Sequence, residues 1–527
     1  MKRVLVSDSM ASEGIEIFRN TPGIEVDVIT KHTPEELKEL VSGYDGLVVR
    51  SSSKITKEII GSAEKLSVIG RAGAGVDNID VAAASKKGIV VMNTPGGNTI
   101  TTGEHAIAMM LSLARKIPQA TASMKAGKWE KSRFMGNEYC NKTLGIIGIG
   151  RIGTVVADRA KGLKMNVLAY DPFIAPEAAE KMGITLATLD EIYGSADFIS
   201  VHVPKSKETT GMINAEAFAK MKKGVFIINC ARGGIVSEKD LYEALVSGKV
   251  AGAALDVFEE EPTKNMALIS QENVICTPHL GASTDEAQTS VAIAIAEQMV
   301  DYLLKGEIRY AVNFPSISAD LMNAMAPYLN LSEKLGKFHA QIISSGIQEV
   351  HIEYSGEILR FDVTPLTIAL LKGLLTPILN ENVNYINAPI IAQERGINVK
   401  ESKSSAVGDY RSMITLTLKT AKAVTTTAGA LFGLRAPRIV RINDFAVDVV
   451  PEGHLLMLYN YDKPGVIGNV GTAIGAANIN IARMHWSRVK AKQRAMVVFS
   501  TDTPLDEEIL KKMKETTNVI SVYQLEM

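Results

Sequence analysis

Three short segments hold the side-chain types that moving a hydride and a proton requires. They are Asn229-Cys230-Ala231-Arg232-Gly233-Gly234, Asp256-Val257-Phe258-Glu259-Glu260-Glu261-Pro262 and Thr277-Pro278-His279-Leu280-Gly281-Ala282-Ser283. A side chain that titrates near neutrality can take the proton of a substrate hydroxyl. Of the eight histidines, His279 lies in a Pro/Gly-bounded loop rather than on an apolar face. A carboxylate partner such as Glu261 holds the ring and raises its pKa. Arg232 offers a planar fork matched to a substrate carboxylate. Each residue alone is better read as structural or solvated; it is their company that points to chemistry.

That company is a glycine fingerprint. Gly148, Gly150 and Gly153 form GxGxxG after an apolar run, Leu144 to Ile147, and open a helical pattern from Thr154 to Leu163. A second apolar run, Val167 to Tyr170, ends at Asp171, 18 residues beyond Gly153. This is the strand–turn–helix–strand context that binds a dinucleotide. Gly148 permits the tight turn, Gly150 the approach of the pyrophosphate, and Gly153 close helix–strand packing. The phosphates face a helix N-terminus. Asp171 accepts from the adenosine ribose, and Pro172 beside it is not basic, so NAD is expected rather than NADP. Arg50 and Arg71 each end a predicted strand, and the amides of the loop from Gly73 add donors. Together they suit a phosphorylated substrate; the alternative is two ordinary rim charges. Lys131 and Arg133 are further basic candidates.

The elements around these residues predict the fold class. Up to about residue 280, short apolar runs alternate with helical patterns: Lys2–Ser7, Gly46–Arg50, Leu66–Gly70, Phe198–His202, Val225–Asn229 and Gly252–Leu255 read as buried strands. In open α/β sheets ligands bind beyond the carboxyl ends of strands, so the three segments converge there. Thr33 with Pro34 predicts a capped helix to Val41, and Ser283 with Glu286 a capping box before a long helix, Asp285 to Leu304. Ser42–Val49 echoes Gly194–Val201, each a helix end, an Asp and a strand. Residues 311–318 and Pro451-Glu452-Gly453 read as boundaries. Between them lie mixed short strands and helices, with Arg435, Arg438 and Arg441 as a possible anion site. The last 74 residues follow the ferredoxin-like order βαββαβ.

Composition excludes other classes. The chain has 527 residues, 46% hydrophobic and 22% charged, with net charge −1. That is a globular chain of several domains with no basic field for nucleic acid or an anionic membrane. No apolar run reaches the ~18 residues of a membrane span. The N-terminus lacks a signal-peptide pattern, so a cytoplasmic enzyme is expected. Cys140, Cys230 and Cys276 are too scattered for a disulfide framework or a zinc site, and no metal is expected.

Arg232, Glu261 and His279, in this order after GxGxxG, resemble the D-specific 2-hydroxyacid dehydrogenase family over residues 1–312. The resemblance implies a smaller flavodoxin-like α/β substrate domain (1–97 with 284–312) and a Rossmann-type parallel-sheet cofactor domain (98–283). It implies that His279 is the acid/base, that Glu261 pairs with it, and that Arg232 positions the substrate carboxylate and carbonyl. Arg151, Ile152, Ala231, Asp256 and Gly281 are then expected against NAD, with Asp256 at the nicotinamide end. Val49-Arg50-Ser51, the string Gly70 to Asn78, Met92-Asn93-Thr94-Pro95, Lys128-Trp129-Glu130 and Gly252 to Phe258 are similar to the family's long-form members. These oxidise D-3-phosphoglycerate in L-serine biosynthesis. Residues 313–452 resemble their α+β intervening domain. Residues 453–527 resemble an ACT domain, a module that senses amino acids, through Asp462-Lys463-Pro464-Gly465 and Asn478-Ile479-Asn480-Ile481. Asp462 suits the ammonium of an amino-acid effector such as L-serine, and Asn480 its carboxylate. Asn460 stands where some relatives carry an aromatic effector contact. A homotetramer is implied. Glyoxylate or hydroxypyruvate reduction, and a non-catalytic NAD-sensing scaffold, remain the rival readings.

Overall fold

The computed structural model describes residues 1–315, 319–343, 345–379, 382–405, 409–433, 435–489, 491 and 493–527. Residues 316–318 of the first expected boundary lie outside the described residues. Four sheets follow one another along the described chain.

The first sheet holds β1 (Lys2–Val6), β2 (Ile24–Val28), β3 (Gly46–Val49), β4 (Val68–Arg71) and β5 (Val90–Met92). All pair in parallel, in the flavodoxin-like order β2-β1-β3-β4-β5. Apolar side chains leave both faces. Leu5, Leu47, Val49 and Ile69 pack with Leu37, Ile59 and Ile60 of the helices on one side. Val4, Val6, Val48 and Val68 pack with Ile295 and Met299 on the other. Those two residues belong to the helix Asp285–Lys305, which returns after the second sheet is complete. Gly70 makes room for it: a Cβ there would lie 2.2 Å from Met299 Sδ. The cap of this helix is Thr284, whose hydroxyl accepts from the Ala287 amide, one residue past the expected Ser283.

The second sheet holds β6 (Thr143–Ile147), β7 (Asn166–Tyr170), β8 (Thr185–Leu186), β9 (Phe198–Val201), β10 (Val225–Asn229), β11 (Val250–Leu255) and β12 (Val274–Cys276). Its order is β12-β11-β10-β9-β6-β7-β8, all parallel. The order reverses between β6 and β9, the crevice where doubly wound sheets bind dinucleotides. The helix Thr99–Ala114 crosses from the first lobe and packs on β10, β11 and β12. Where the chain crosses again, Thr101 Oγ1 meets Thr284 Oγ1 at 3.3 Å.

The echo between the two halves has a physical basis. The Asp45 carboxylate accepts from Lys2 Nζ at 2.8 Å and from the Arg3 amide at 2.9 Å. Asp197 accepts from Lys222 Nζ at 2.8 Å and from the Thr143 amide at 2.9 Å. Each Asp therefore ties down an amide at the start of the neighbouring strand, with a lysine to balance it.

The third sheet holds β13 (Ile347–Gly356), β14 (Asn398–Ser404), β15 (Ser412–Thr420), β16 (Val424–Phe432), β17 (Ala436–Ile442) and β18 (Phe445–Val449). Only β13 and β14 pair in parallel. Its strands reach 10 residues, longer than the sequence suggested. Threonines punctuate the pattern but pair with each other across strands, as Thr417 does with Thr426 at 3.1 Å. The helices Ala319–Ala340 and Thr364–Leu375 cover one face. The fourth sheet holds β19 (His454–Tyr461), β20 (Ile481–Val489), β21 (Arg494–Thr501) and β22 (Val519–Glu526), antiparallel in the order β20-β21-β19-β22. With helices Val466–Ala476 and Glu507–Lys514 this is the expected βαββαβ unit.

One apolar core runs from the first sheet through Phe314 and the third sheet to Leu455, Met496 and Leu525. The second sheet keeps its own cores on its two faces.

Candidate active site

The loops after β10, β11 and β12 carry the three expected groups. Arg232 follows β10 and reaches the other lobe. Its Nε donates to Asp77 Oδ2 at 3.0 Å, and one terminal nitrogen donates to its neighbour's carbonyl, Ala231 O, at 2.7 Å. The turn is fixed by Asn229, whose side chain bonds the Ala231 amide and the Arg232 carbonyl. Gly233 is obligatory here, because a Cβ would lie 1.7 Å from Phe258 O.

His279 and Glu261 form the expected pair, Nδ1 to Oε2 at 2.8 Å. The Glu261 hydrogen bond, then its charge, raise the imidazole pKa against a burial effect that lowers it. For Glu261, burial acts to raise the pKa, but the hydrogen bond and charge of His279 with the Phe258 amide leave it lowered. The carboxylate is thus ionised, Nδ1 carries the shared proton, and Nε2 is left for a substrate. The histidine backbone sits at φ +55°, a left-handed conformation a non-glycine residue holds only when its surroundings fix it.

Arg50 follows β3 and Arg71 ends β4, where Arg71 is close enough to both Arg50 and Arg232 for their charges to interact. Arg50 donates to Ser9 O at 2.8 Å. Its backbone amide is held by the buried Asp8 carboxylate at 2.6 Å, which also takes the Ser53 hydroxyl. Burial, then repulsion from Arg232 and Arg50, push the Arg71 pKa down to about 10 despite the pull of Asp77. Its Nε is buried without a hydrogen-bond partner. A Cβ at Gly73 would lie 2.0 Å from an Arg71 terminal nitrogen, and one at Gly75 would lie 2.1 Å from an Arg232 nitrogen. Three guanidiniums thus crowd a glycine loop, and Asp77 is the anion bonded among them.

The glycine turn fits a dinucleotide. Gly148 has φ +97°, and a Cβ there would lie 2.8 Å from His202 O. At Gly153 a Cβ would strike Gly148 O at 2.0 Å, whereas at Gly150 it would meet nothing within 4 Å. Gly150 is therefore the open face of the turn. Arg151 and Ile152 begin the helix Arg151–Gly162 behind it. Asp171 accepts from the Ile149 amide at 2.9 Å and from the Phe173 amide at 2.9 Å, which aims the carboxylate at the turn.

Asp256 follows β11. It is buried, and its two oxygens hold the loop of His279 through the amides of Leu280 and Gly281. Arg133 stands apart from the site. It pairs with Glu272, ahead of β12 and so at the opposite end of the sheet from Arg232.

Comparison with known proteins agrees with this geometry. Residues 107–281 match the NAD binding domain of the D-isomer specific 2-hydroxyacid dehydrogenases. Residues 324–443 match the D-3-phosphoglycerate dehydrogenase intervening domain, and 454–517 the ACT domain. D-3-phosphoglycerate dehydrogenase from Archaeoglobus fulgidus is 46% identical over the full length of both chains. That from Bacillus subtilis is 41% identical, again over both full chains. The chain belongs to the D-3-phosphoglycerate dehydrogenase family. Membership makes it an NAD-dependent 2-hydroxyacid dehydrogenase. Among solved structures, D-lactate dehydrogenase from Aquifex aeolicus, complexed with NAD and lactic acid, superposes with a TM-score of 0.53 at 30% identity. The match covers 60% of this chain and all of that one. A glyoxylate reductase from Paecilomyes thermophila gives 0.55 at 29%, over 59% of this chain and 98% of its own.

In the phosphoglycerate dehydrogenase intervening domain, Arg438 is engaged by Asp448 at 3.2 Å. In the ACT domain, Asp462 lies 3.6 Å from Arg488, and the Asn480 amide donates to Asp502 at 3.1 Å. Asp462 and Asn480 are thus engaged by different partners, Arg488 and Asp502. Asn460 is buried and donates to Tyr461 O. No helix among the described residues is long and apolar enough to cross a membrane.

Sequence reasoning missed Asp77 and Asp8. Asp77 lies 155 positions from the arginine it bonds, so no local spacing marks it. Asp8 lies two residues past β1, at the order reversal beside β3, which is the signal that finds it.

Proposed function

We propose that this protein oxidises D-3-phosphoglycerate to 3-phosphohydroxypyruvate with NAD, at the entry to L-serine biosynthesis. The observation that carries the substrate is the crowding of Arg50, Arg71 and Arg232, whose repulsion a multiply charged anion relieves. Arg232 grips the carboxylate, while Arg50, Arg71 and the amides from Gly73 take the phosphate. His279 Nε2 receives the C2 hydroxyl proton, and Glu261 stabilises the imidazolium that forms. NAD supplies the acceptor for the C2 hydride. Gly148, Gly150, Gly153, Arg151, Ile152 and Asp171 hold its adenosine and phosphates. Ala231, Asp256 and Gly281 stand at its other end.

Within this reading the substrate domain is 1–97 with 284–312, the cofactor domain 98–283, the intervening domain 313–452 and the ACT domain 453–527. The ACT domain takes an amino-acid effector, L-serine, through Asp462 and Asn480, in a cytoplasmic homotetramer. Supporting an effector there, Asp462 is already set against a cation.

The test is NAD reduction with D-3-phosphoglycerate, glycerate and D-lactate side by side, with and without L-serine. A rate confined to the phosphorylated acid, lost on Arg71→Ala by about tenfold to a hundredfold in kcat/KM, supports the reading. A rate on glycerate but not on its phosphate moves the protein to the reductases. No rate with either, and none lost in His279→Ala, leaves a scaffold.

A further inference from the structure

Asp256 is 1% exposed, yet its carboxylate shapes the loop that presents His279. Oδ1 accepts the Leu280 amide at 2.6 Å and the Thr277 hydroxyl at 2.5 Å, and Oδ2 accepts the Gly281 amide at 2.8 Å. A buried carboxylate needs a positive or strongly donating partner to stay charged. Among the described residues, the basic side chain within ion-pair reach is His105, with Nε2 at 3.3 Å from Asp256 Oδ1. The same nitrogen lies 3.2 Å from Thr277 Oγ1. Thr277 spends its own proton on Asp256, and a carboxylate only accepts, so Nε2 of His105 must carry the hydrogen.

His105 lies on the helix Thr99–Ala114, away from the loops that carry the reaction. That helix holds the same loop twice more. Thr102, one turn earlier, donates to Gly281 O at 2.9 Å. Met109 Sδ, one turn later, lies 3.9 Å from Thr277 Oγ1. Residues at this spacing share one helical face, so a continuous stripe of the crossing helix clamps the loop of His279.

We propose that His105 is a positioning residue of the dehydrogenase: it holds the buried Asp256 carboxylate and thereby fixes the loop that aims His279. The inference rests on the proposed role of His279 as base. Its contacts touch neither Arg232, Arg50 nor Arg71, so substrate binding and proton transfer separate when it is altered.

The experiment compares wild type, His105→Leu and His105→Gln in the full chain. The Leu variant removes the donor at similar bulk, and Gln returns a neutral donor of similar reach. In the Leu variant kcat is expected to fall about tenfold or more, since small misplacement of a reacting group is costly. KM for D-3-phosphoglycerate stays within about twofold, because its contacts lie on other elements. The deuterium isotope effect with substrate labelled at C2 rises, and the Gln variant recovers most of the rate. An unchanged kcat and isotope effect in a folded His105→Leu overturns the proposal. Should that variant not fold, His105→Asn, whose shorter side chain falls short of the carboxylate, takes its place: an unchanged kcat and isotope effect overturns the proposal, and a drop in kcat at constant KM sustains it. Absence of any wild-type rate instead overturns the reading of the active site.

Discussion

At the scale of single residues, the pairing of His279 with Glu261 gives the proposed reaction a pH dependence. Glu261 raises the histidine above its ordinary value, so the neutral imidazole that the proposed oxidation needs appears only at higher pH. Glu261→Gln is expected to move the acidic limb of the kcat/KM profile to lower pH, and to weaken the reverse reaction at neutral pH. A limb that stays in place would separate the pair. The linkage to stability follows the same signs. The His279 contribution is present below its unfolded value and lost as pH rises through the raised folded value. That of Glu261 is present above its unfolded value and lost as pH falls. A second prediction concerns Asp77. Its bond to Arg232 spans the cleft, so Asp77→Asn is expected to raise KM for the hydroxy acid severalfold while NAD binding is unchanged, read by nucleotide fluorescence titration. His279, Glu261 and Arg232 were legible because each stands in a Gly- or Pro-marked loop after a strand. Asp77, Asp8 and His105 were not, because they act on other side chains, and the partner of each is brought near only by the fold.

At the scale of elements, the glycine turn and the buried histidine of the third sheet give sharp expectations. Gly153→Ala places a methyl carbon against Gly148 O, at 2.0 Å before any shift. NAD affinity is expected to collapse in isothermal titration while the first and third sheets stay folded by circular dichroism. His339, on helix Ala319–Ala340, is fully enclosed, with Thr427 at 3.0 Å and Thr425 at 2.6 Å on its two nitrogens. Burial lowers its pKa to about 3. The unfolded chain takes up that proton first, so stability falls as pH drops below the ordinary histidine value. Between pH 7 and pH 5 this group costs about 2 kcal/mol. His339→Gln is expected to flatten the fall of the melting temperature over that range. Five strands of the second sheet, β6, β7, β9, β10 and β11, were legible as continuous apolar runs between helices, whereas the short edge strands β8 and β12 were not. β2 was not, for Glu25 and Asp27 break its run on an edge where one side is wet. The one-residue error at the helix after the second sheet has a similar source. Ser283 and Thr284 are both good caps by type, and only the backbone decides between them.

At the scale of the whole molecule, the distribution of cores divides the protein in two. The substrate, intervening and ACT units share one apolar core, while the cofactor lobe is packed on its own residues. Side chains reinforce the first body: Lys86 meets Glu394 at 2.6 Å, and Asn384 donates to Gly88 O at 2.7 Å. Unfolding is therefore expected in two calorimetric transitions, with NAD raising chiefly that of the cofactor lobe. A single transition moved as one by NAD contradicts this division. The order of the four units was legible from motifs and texture, but their shared core was not, since it is made of side chains hundreds of positions apart. The two passages of chain between the lobes, brought together where Thr101 meets Thr284, carry a mechanical meaning. A lobe tethered once swivels freely, but two neighbouring tethers confine it to swing like a door about one axis. Every approach of Arg232 to Asp77 then retraces the same arc, so closing the cleft and registering the reacting groups are one movement.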